Sequence, residues 1–105
     1  MQTLSDSNFD SVLDGSPRAV VLFSASWCGP CKTFKPKFLK MADEMSDVDF
    51  FYCDVDEAQK ITMDLAIQSV PTIITFKRGD THKHIVGADE TRVRAMLEDL
   101  RSHTA

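Results

Sequence analysis

The feature that most constrains this chain is a short apolar run that leads directly into two closely spaced cysteines. Residues 19–23 read Ala-Val-Val-Leu-Phe, and Cys28-Gly-Pro-Cys31 follows after four residues. An apolar run without alternation favours a strand that is covered on both faces, as in a parallel sheet. A stripe of apolar residues at helical spacing comes next: Phe34, Phe38, Met41 and Met45. The cysteines therefore lie where a buried strand gives way to an amphipathic helix.

Hydrophobic periodicity and turn residues divide the rest of the chain into alternating elements. The predicted order is a short strand at 2–4, a helix from Ser5 or Asp6 to Gly15, strand 19–23, helix 30–45 with a kink before Pro36, strand 48–55, a helix from Ala58 that ends before Val70, strands 72–76 and 81–86 joined as a hairpin, and a helix capped by Asp89. Strands separated by helices predict parallel pairing with right-handed crossovers. We expect an α/β fold, with a central mixed sheet of four or five strands and helices on both faces.

Composition sets outer limits on what the chain can be. Its 105 residues, 43% of them hydrophobic, suit one domain spanning 1–105. The net charge of -4 makes nucleic acid an unexpected partner, and the longest apolar run is far too short to cross a membrane. The first residues show no basic and apolar leader, so a reducing cytoplasm is the expected compartment. Three cysteines cannot all pair, which argues against a disulfide-stapled fold.

The position of the cysteine pair predicts its chemistry. A sulfur at a helix N-terminus faces free backbone N–H groups and the positive end of the helix dipole, so Cys28 should ionise more readily than a free cysteine. The i, i+3 spacing brings Cys31 within disulfide reach, while Gly29 and Pro30 suit a tight loop and a first helical turn. We predict that Cys28 attacks a target disulfide and that Cys31 resolves the mixed disulfide.

Two other interpretations of the pair are weaker. A zinc site needs two further ligands, and the candidates are Cys53 and a histidine among His82, His84 and His103, without a second CxxC. We therefore predict no metal. An inert static bridge would contradict the reducing compartment.

The sequence Trp27-Cys28-Gly29-Pro30-Cys31-Lys32 resembles the thioredoxin family. The similarity continues over nearly the whole chain, at Lys35-Pro36, Asp54-Val55-Asp56, Val70-Pro71-Thr72, Lys77-Arg78-Gly79 and Gly87-Ala88. The resemblance implies a thioredoxin fold and a protein-disulfide reductase. It also implies that no cofactor is bound, and that electrons come from NADPH through a flavin-containing thioredoxin reductase.

The resemblance also assigns a substrate surface. It implies a cis Val70-Pro71 bond beside the cysteines, where the Val70 backbone would pair with an extended target segment. Gly87 and Ala88 match the family's flat apolar surface. Trp27 matches it as well, although a half-buried packing role is an equal alternative from the sequence. A second copy of the chain could cover this surface, so we expect a monomer with weak dimerisation possible.

One position departs from the family pattern. Leu22 stands six residues before Cys28, where thioredoxins usually carry a buried aspartate that takes or relays the proton of the resolving cysteine. Lys35 matches a lysine often found near that aspartate, and without this partner we expect it to be solvated. The departure leaves two alternative functions, a binding or adaptor module on this fold and a redox sensor with atypical kinetics. An oxidative-folding enzyme would require an oxidising compartment.

The remaining chemistry-bearing residues have structural interpretations. Cys53 lies among apolar strand residues and is predicted to pack as core. His82 and His84 alternate on the last strand, so both should face one side of the sheet as polar protection of its edge. Met63 falls on an apolar stripe and is predicted to be core. The acidic residues after strand 48–55 suggest a solvated turn.

Overall fold

The computed structural model describes residues 1–103, so Thr104 and Ala105 of the predicted domain, and the side chain of His103, lie outside the described part. The elements follow the predicted order: β1 (Gln2–Leu4), α1 (Phe9–Asp14), β2 (Ala19–Ser24), α2 (Gly29–Glu44), β3 (Asp49–Asp54), α3 (Gln59–Asp64), β4 (Thr72–Lys77), β5 (Asp80–Val86) and α4 (Glu90–His103). Pro36 lies inside α2, and Asp89 caps α4 by accepting a hydrogen bond from the Arg92 N–H at 3.2 Å.

The strands form one mixed sheet in the order β1-β3-β2-β4-β5. β3 pairs in parallel with both β1 and β2, whereas β4 runs antiparallel to β2 and to β5. The fold-class prediction and the predicted hairpin are therefore confirmed. All six residues of β2 are buried, because β2 has a strand on each side and helices over each face.

Each face of the sheet has its own hydrophobic core. α2 and α4 cover one face, on which Leu22 packs with Phe34, Phe38 and Leu97. α1 and α3 cover the other face, on which Phe23 and Cys53 pack with Phe9 and Ile61. Neighbouring residues of β2 and β3 thus contribute to opposite cores, as the two-residue period of a strand requires.

Two predictions about the helices were wrong. Asp6 does not cap α1: its carboxylate accepts the backbone N–H groups of Lys60 and Ile61, at 3.2 and 2.9 Å, and so caps α3. Ser5 makes no side-chain cap either, since α1 begins after Asn8 without a side-chain capping bond. Met63 is 79% exposed rather than buried. The helix α3 has only six residues, and Ile61 is the one that it buries in the core.

The two histidines of β5 do not share a face. A register shift opposite Thr75 and Phe76 interrupts the alternation at His82. His82 Nε2 lies 2.8 Å from Asp99 Oδ2 on α4, whereas His84 is the partner of Ile74, whose side chain belongs to the α1–α3 core. A β-bulge re-aims the residues after it, which a sequence pattern does not reveal.

Within the described residues, no helix has both the length and the apolar character needed to span a membrane.

Candidate active site

The cysteine pair lies at the junction of β2 and α2. Cys28 is the N-cap of α2, with extended backbone angles of φ -88° and ψ 108°, and Pro30 occupies the first turn. The fixed φ of proline and its missing N–H suit that position. Cys28 and Cys31 are joined as a disulfide with their Cα atoms 5.3 Å apart. The predicted pairing within one helical turn is present in the structure.

The backbone around Cys28 favours a negatively charged sulfur. The Cys31 N–H donates a hydrogen bond to Cys28 Sγ at 3.2 Å, and this N–H is one of those left unpaired at a helix start. α2 is a sixteen-residue helix, so its dipole directs partial positive charge at the same atom. Both effects stabilise a thiolate at Cys28 once the disulfide has been reduced. Both cysteines are buried, Cys28 at 4% and Cys31 at 1% exposure.

The Val70-Pro71 segment packs beside the pair. The Val70-Pro71 bond is cis, and Val70 lies against the small cluster that contains Cys28 and Cys31. The Pro71 carbonyl accepts a hydrogen bond from the Gly87 N–H at 2.8 Å, which joins the end of β5 to this segment. Residues far apart in the sequence, near 28, 70 and 87, are thus brought to one surface.

Trp27 stands at the edge of this surface. It is 68% exposed, which excludes the half-buried packing role, and its indole Nε1–H donates to Asp56 Oδ2 at 2.9 Å. The Asp56 N–H in turn donates to Asp54 Oδ1 at 2.9 Å. Sequence reasoning interpreted the acidic turn as merely solvated and missed this contact, because no local signal links residues 29 positions apart.

Leu22 is fully buried on the α2–α4 side of β2 and pairs in register with Tyr52 of β3. The Lys35 ammonium lies 4.3 Å from the centre of the Tyr52 ring, a distance suited to a cation–π contact. Lys35 itself is exposed, as expected for a lysine without a buried carboxylate partner. Among the residues that the structure describes, no group of three potential ligands could hold a metal ion.

Cys53 has the opposite environment to Cys28. It is fully buried in the middle of β3, in the core beneath α1 and α3. Burial, reinforced by the negative charges of Asp6 and Asp54, raises the pKa of the Cys53 thiol to about 12. The predicted core packing is confirmed, and Cys53 remains a thiol at neutral pH.

A disulfide whose first sulfur lies at the N-terminus of a helix is the arrangement expected of a dithiol–disulfide oxidoreductase. Comparison with known proteins specifies the family. The family model described as Thioredoxin matches residues 1–99. Human thioredoxin is 36% identical over 101 residues, which cover 94% of this chain and 96% of that protein. Thioredoxin H2 of Arabidopsis thaliana is 36% identical over 95 residues, which cover 90% of this chain and 71% of that protein.

Solved structures agree with the sequence comparison. The oxidised form of mitochondrial thioredoxin 3 from Saccharomyces cerevisiae superposes with a TM-score of 0.91 and 32% identity, over 95% of each chain. The chain belongs to the thioredoxin family and is a thiol-disulfide oxidoreductase that reduces disulfides in target proteins.

Proposed function

We propose that Cys28 is the nucleophile and Cys31 the resolving cysteine of this reductase. In the first step the Cys28 thiolate attacks one sulfur of a target disulfide. The target S–S bond breaks, and the second target sulfur leaves as a thiolate that takes a proton from solvent. The observation that carries the assignment is the Cys31 N–H at 3.2 Å from Cys28 Sγ, since it stabilises negative charge on the outer sulfur.

Resolution then uses Cys31. Its thiolate attacks Cys28 Sγ, the mixed disulfide breaks, and the first target sulfur leaves as a thiolate. The target has gained two electrons, and Cys28–Cys31 is oxidised to the disulfide seen in the structure. Leu22 supplies no group that could accept the Cys31 proton, so we infer that water or hydroxide removes it. Gly29 and Pro30 keep the two sulfurs within reach of each other.

Target recognition is assigned to the surface around the pair. An extended target segment would pair with the Val70 backbone beside Cys28, which is a form of β-strand addition. The packing of Val70 against the cysteine cluster and the Gly87–Pro71 hydrogen bond support this position. Trp27, Pro71 and Ala88 would flank the segment, and the exposed indole of Trp27 supports its role as a contact.

Recycling completes the proposed function. The chain itself would carry no cofactor, and a flavin-containing thioredoxin reductase would pass electrons from NADPH to the Cys28–Cys31 disulfide. We propose the cytoplasm as the compartment, because a reducing pool keeps such a dithiol charged. The working form would be a monomer, with a weak dimer through the Trp27 surface at high concentration.

The test is insulin-disulfide reduction driven by NADPH and a thioredoxin reductase, with wild type, Cys28→Ser and Cys31→Ser. Wild type should turn over. Cys28→Ser should be inactive, and Cys31→Ser should accumulate a covalent adduct with insulin through Cys28. Equal turnover by wild type and Cys28→Ser would contradict the assignment. A parallel assay replaces NADPH and the reductase with dithiothreitol. Turnover with dithiothreitol alone would show that the chosen reductase does not recognise this chain, whereas no turnover in either assay would contradict the proposed chemistry.

The alternative of a binding module is tested with the same chain. A double variant with both cysteines changed to serine would keep its partner if binding alone were the function. Loss of stable capture in that variant, together with turnover by wild type, supports the reductase.

A further inference from the structure

A cleft of about 350 Å³ opens beside the cysteine pair, between the first turns of α2 and the segment that follows β5. Five residues line it: Pro30, Thr33, Phe34, Lys37 and Ala88. Its volume lies at the low end of the range of about 300–1,000 Å³ for small-molecule sites and leaves room for one side chain. Neither Trp27 nor Asp56 lines the cleft.

The lining of the cleft carries a single charged side chain, and its charge is positive. Phe34 is 3% exposed and forms an apolar wall with Pro30 and Ala88, and the Thr33 hydroxyl is turned to the Gly29 carbonyl at 3.4 Å. Lys37 brings the only ionisable group, and it forms no ion pair within 4 Å with any side chain of the described chain, residues 1–103.

Lys37 shares this lack of an ion pair with other lysines of the described chain, such as Lys40, but differs in it from Arg94 and Arg101 on α4. Arg94 is held by Glu44 and Glu90, and Arg101 is held by Asp47 and Glu98, at distances of 2.8–3.0 Å. In a chain with a net charge of -4, carboxylates are in excess, yet none lines this cleft. The cleft therefore presents an uncompensated positive charge next to an apolar wall, which complements a side chain with a methylene stem and a carboxylate.

The cleft is continuous with the proposed target-binding surface. Pro30 is two residues from the nucleophile Cys28, and Ala88 follows Gly87, whose N–H donates to Pro71. In an extended segment, residues two apart point to the same side and are separated by roughly 7 Å. If the target cysteine faces Cys28, the residue two positions away on one side also faces the protein and can reach this cleft.

We propose that the cleft is a specificity subsite that binds an acidic side chain two residues from the target cysteine, with Lys37 as the specificity-determining residue. The proposal rests on the proposed function, because it requires an extended target segment beside Val70. The glutamate side chain would lay its methylene groups on Phe34 and Ala88 and place its carboxylate at the Lys37 ammonium. The preference is electrostatic, so salt should weaken it.

The test uses short synthetic peptides, each a disulfide-linked dimer, with Glu, Gln or Lys two residues before the cysteine or two residues after it. Reduced wild type, Lys37→Gln, Lys37→Glu and Lys40→Gln are mixed with each peptide in single-turnover experiments, and the second-order rate is measured. The readout is the ratio of the Glu rate to the Gln rate in one register. Lys40 is exposed on the same helix and is absent from the cleft lining, so Lys40→Gln is the matched control.

We expect wild type to prefer Glu over Gln by about two- to five-fold in one of the two registers at low salt, the range of a solvent-exposed ion pair. Lys37→Gln should bring the ratio of the Glu rate to the Gln rate to about one, and Lys40→Gln should leave that ratio as in wild type. Lys37→Glu should bring the ratio below one and make the Lys peptide the fastest of the three. In 1 M salt, where the Debye length is about 3 Å, the wild-type preference should fall towards one.

A ratio that is the same in wild type and Lys37→Gln in both registers would overturn the subsite. A ratio that Lys40→Gln changes as much as Lys37→Gln would also overturn it, since the effect would then belong to the general charge of α2. Failure of wild type to reduce any of the peptides would instead contradict the proposed function, so the two failures are distinguishable.

Discussion

Cys28 and Cys53 are both buried, Cys28 at the start of a helix and Cys53 within a strand, and their chemistry is opposite. Cys28 is 4% exposed and Cys53 is fully buried. Cys28 follows the end of β2, where a helix begins and the Cys31 N–H points at its sulfur. Cys53 lies inside β3, where its neighbours are apolar and the charges of Asp6 and Asp54 are negative. The first environment stabilises a thiolate, and the second stabilises a thiol.

The comparison shows that burial by itself does not decide whether a cysteine reacts. Desolvation disfavours the thiolate at both positions, but Cys28 receives the Cys31 N–H and the positive end of a helix dipole, which offset it. A sulfur becomes a nucleophile where the chain leaves a strand and starts a helix. A cysteine in the middle of a strand, such as Cys53, has only a packing role.

The largest expected contrast is in alkylation of the reduced protein. A thiol with a pKa of about 12 is about one part in 10⁵ thiolate at pH 7, so Cys53 should react with iodoacetamide at least about 10³-fold more slowly than Cys28. Mass spectrometry of peptides at successive times measures both rates in one sample. A Cys53→Val variant identifies the slow adduct, and comparable labelling of Cys53 in the folded protein would break the comparison.

A second prediction concerns Leu22→Asp, which adds a buried carboxylate to the core on the α2–α4 side of the sheet. Leu22→Asp buries a carboxylate in the α2–α4 core, so we expect the free energy of unfolding to fall by a few kcal/mol. The pH profile of mixed-disulfide resolution should also change, because the substitution introduces a titratable carboxyl group where the chain has a leucine. Denaturant unfolding and rapid-mixing kinetics measure the two effects.

Leu22→Asn is the control for that substitution, because it adds a buried polar group that does not titrate. It should destabilise the fold but leave the shape of the pH profile as in wild type. If the Asp and Asn variants had identical profiles, position 22 would have no influence on the protons of the pair.

A third prediction concerns the alkaline stability that Cys53 confers. Below pH 9 the thiol is protonated in both the folded and the unfolded chain; above it the unfolded thiol ionises, while the folded one, with a pKa of about 12, does not. Its contribution to stability is therefore complete below pH 9 and is lost as the pH rises towards 12, by up to about 1.4 kcal/mol per pH unit.

The measurement is the difference in unfolding free energy between oxidised wild type and Cys53→Val at several pH values from 8 to 10.5. All other titrating groups are common to both proteins, so their contributions cancel in the difference. Wild type should lose stability relative to Cys53→Val above pH 9. Parallel curves would mean that Cys53 ionises as easily in the folded protein as in the unfolded one.

The smallest expected effect is at the exposed edge of the site. Asp56→Asn weakens a hydrogen bond to an indole that is 68% exposed, so stability should change by less than about 1 kcal/mol. The fluorescence of Trp27, the single tryptophan, should respond because the charge next to its Nε1–H is removed. Glu57→Gln removes the same charge from the adjacent exposed residue and should leave the emission unaltered. Equal spectral shifts in both variants would argue against the specific Asp56 contact.

The sequence pattern predicted correctly those helices, strands and caps that depend only on residues close together in the chain. The uninterrupted apolar run of β2, the helical stripes of α2 and α4, and the Asp89 cap are all properties of neighbouring residues, and each is confirmed. The Cys28–Cys31 disulfide is of the same kind, since only two residues lie between the cysteines and helix geometry sets their distance.

Contacts across long stretches of sequence were beyond that reasoning. Asp6 caps a helix more than fifty residues away, Trp27 finds Asp56, and the exposure of Met63 depends on how little of α3 the core accepts. The bulge that separates His82 from His84 arises from pairing with β4, which a single strand does not encode.

The sequence by itself predicted the cysteine pair and the core cysteine from residue type and local spacing, and the resemblance to the family singled out Leu22. The tertiary structure packed Val70 against the pair, as the family resemblance implied, and it alone joined Gly87 to Pro71 and opened a cleft at Lys37 without a carboxylate in its lining. The physical reason is that a reactive sulfur needs only the first turn of its own helix, whereas a surface that selects targets is assembled from segments brought together by packing of the sheet.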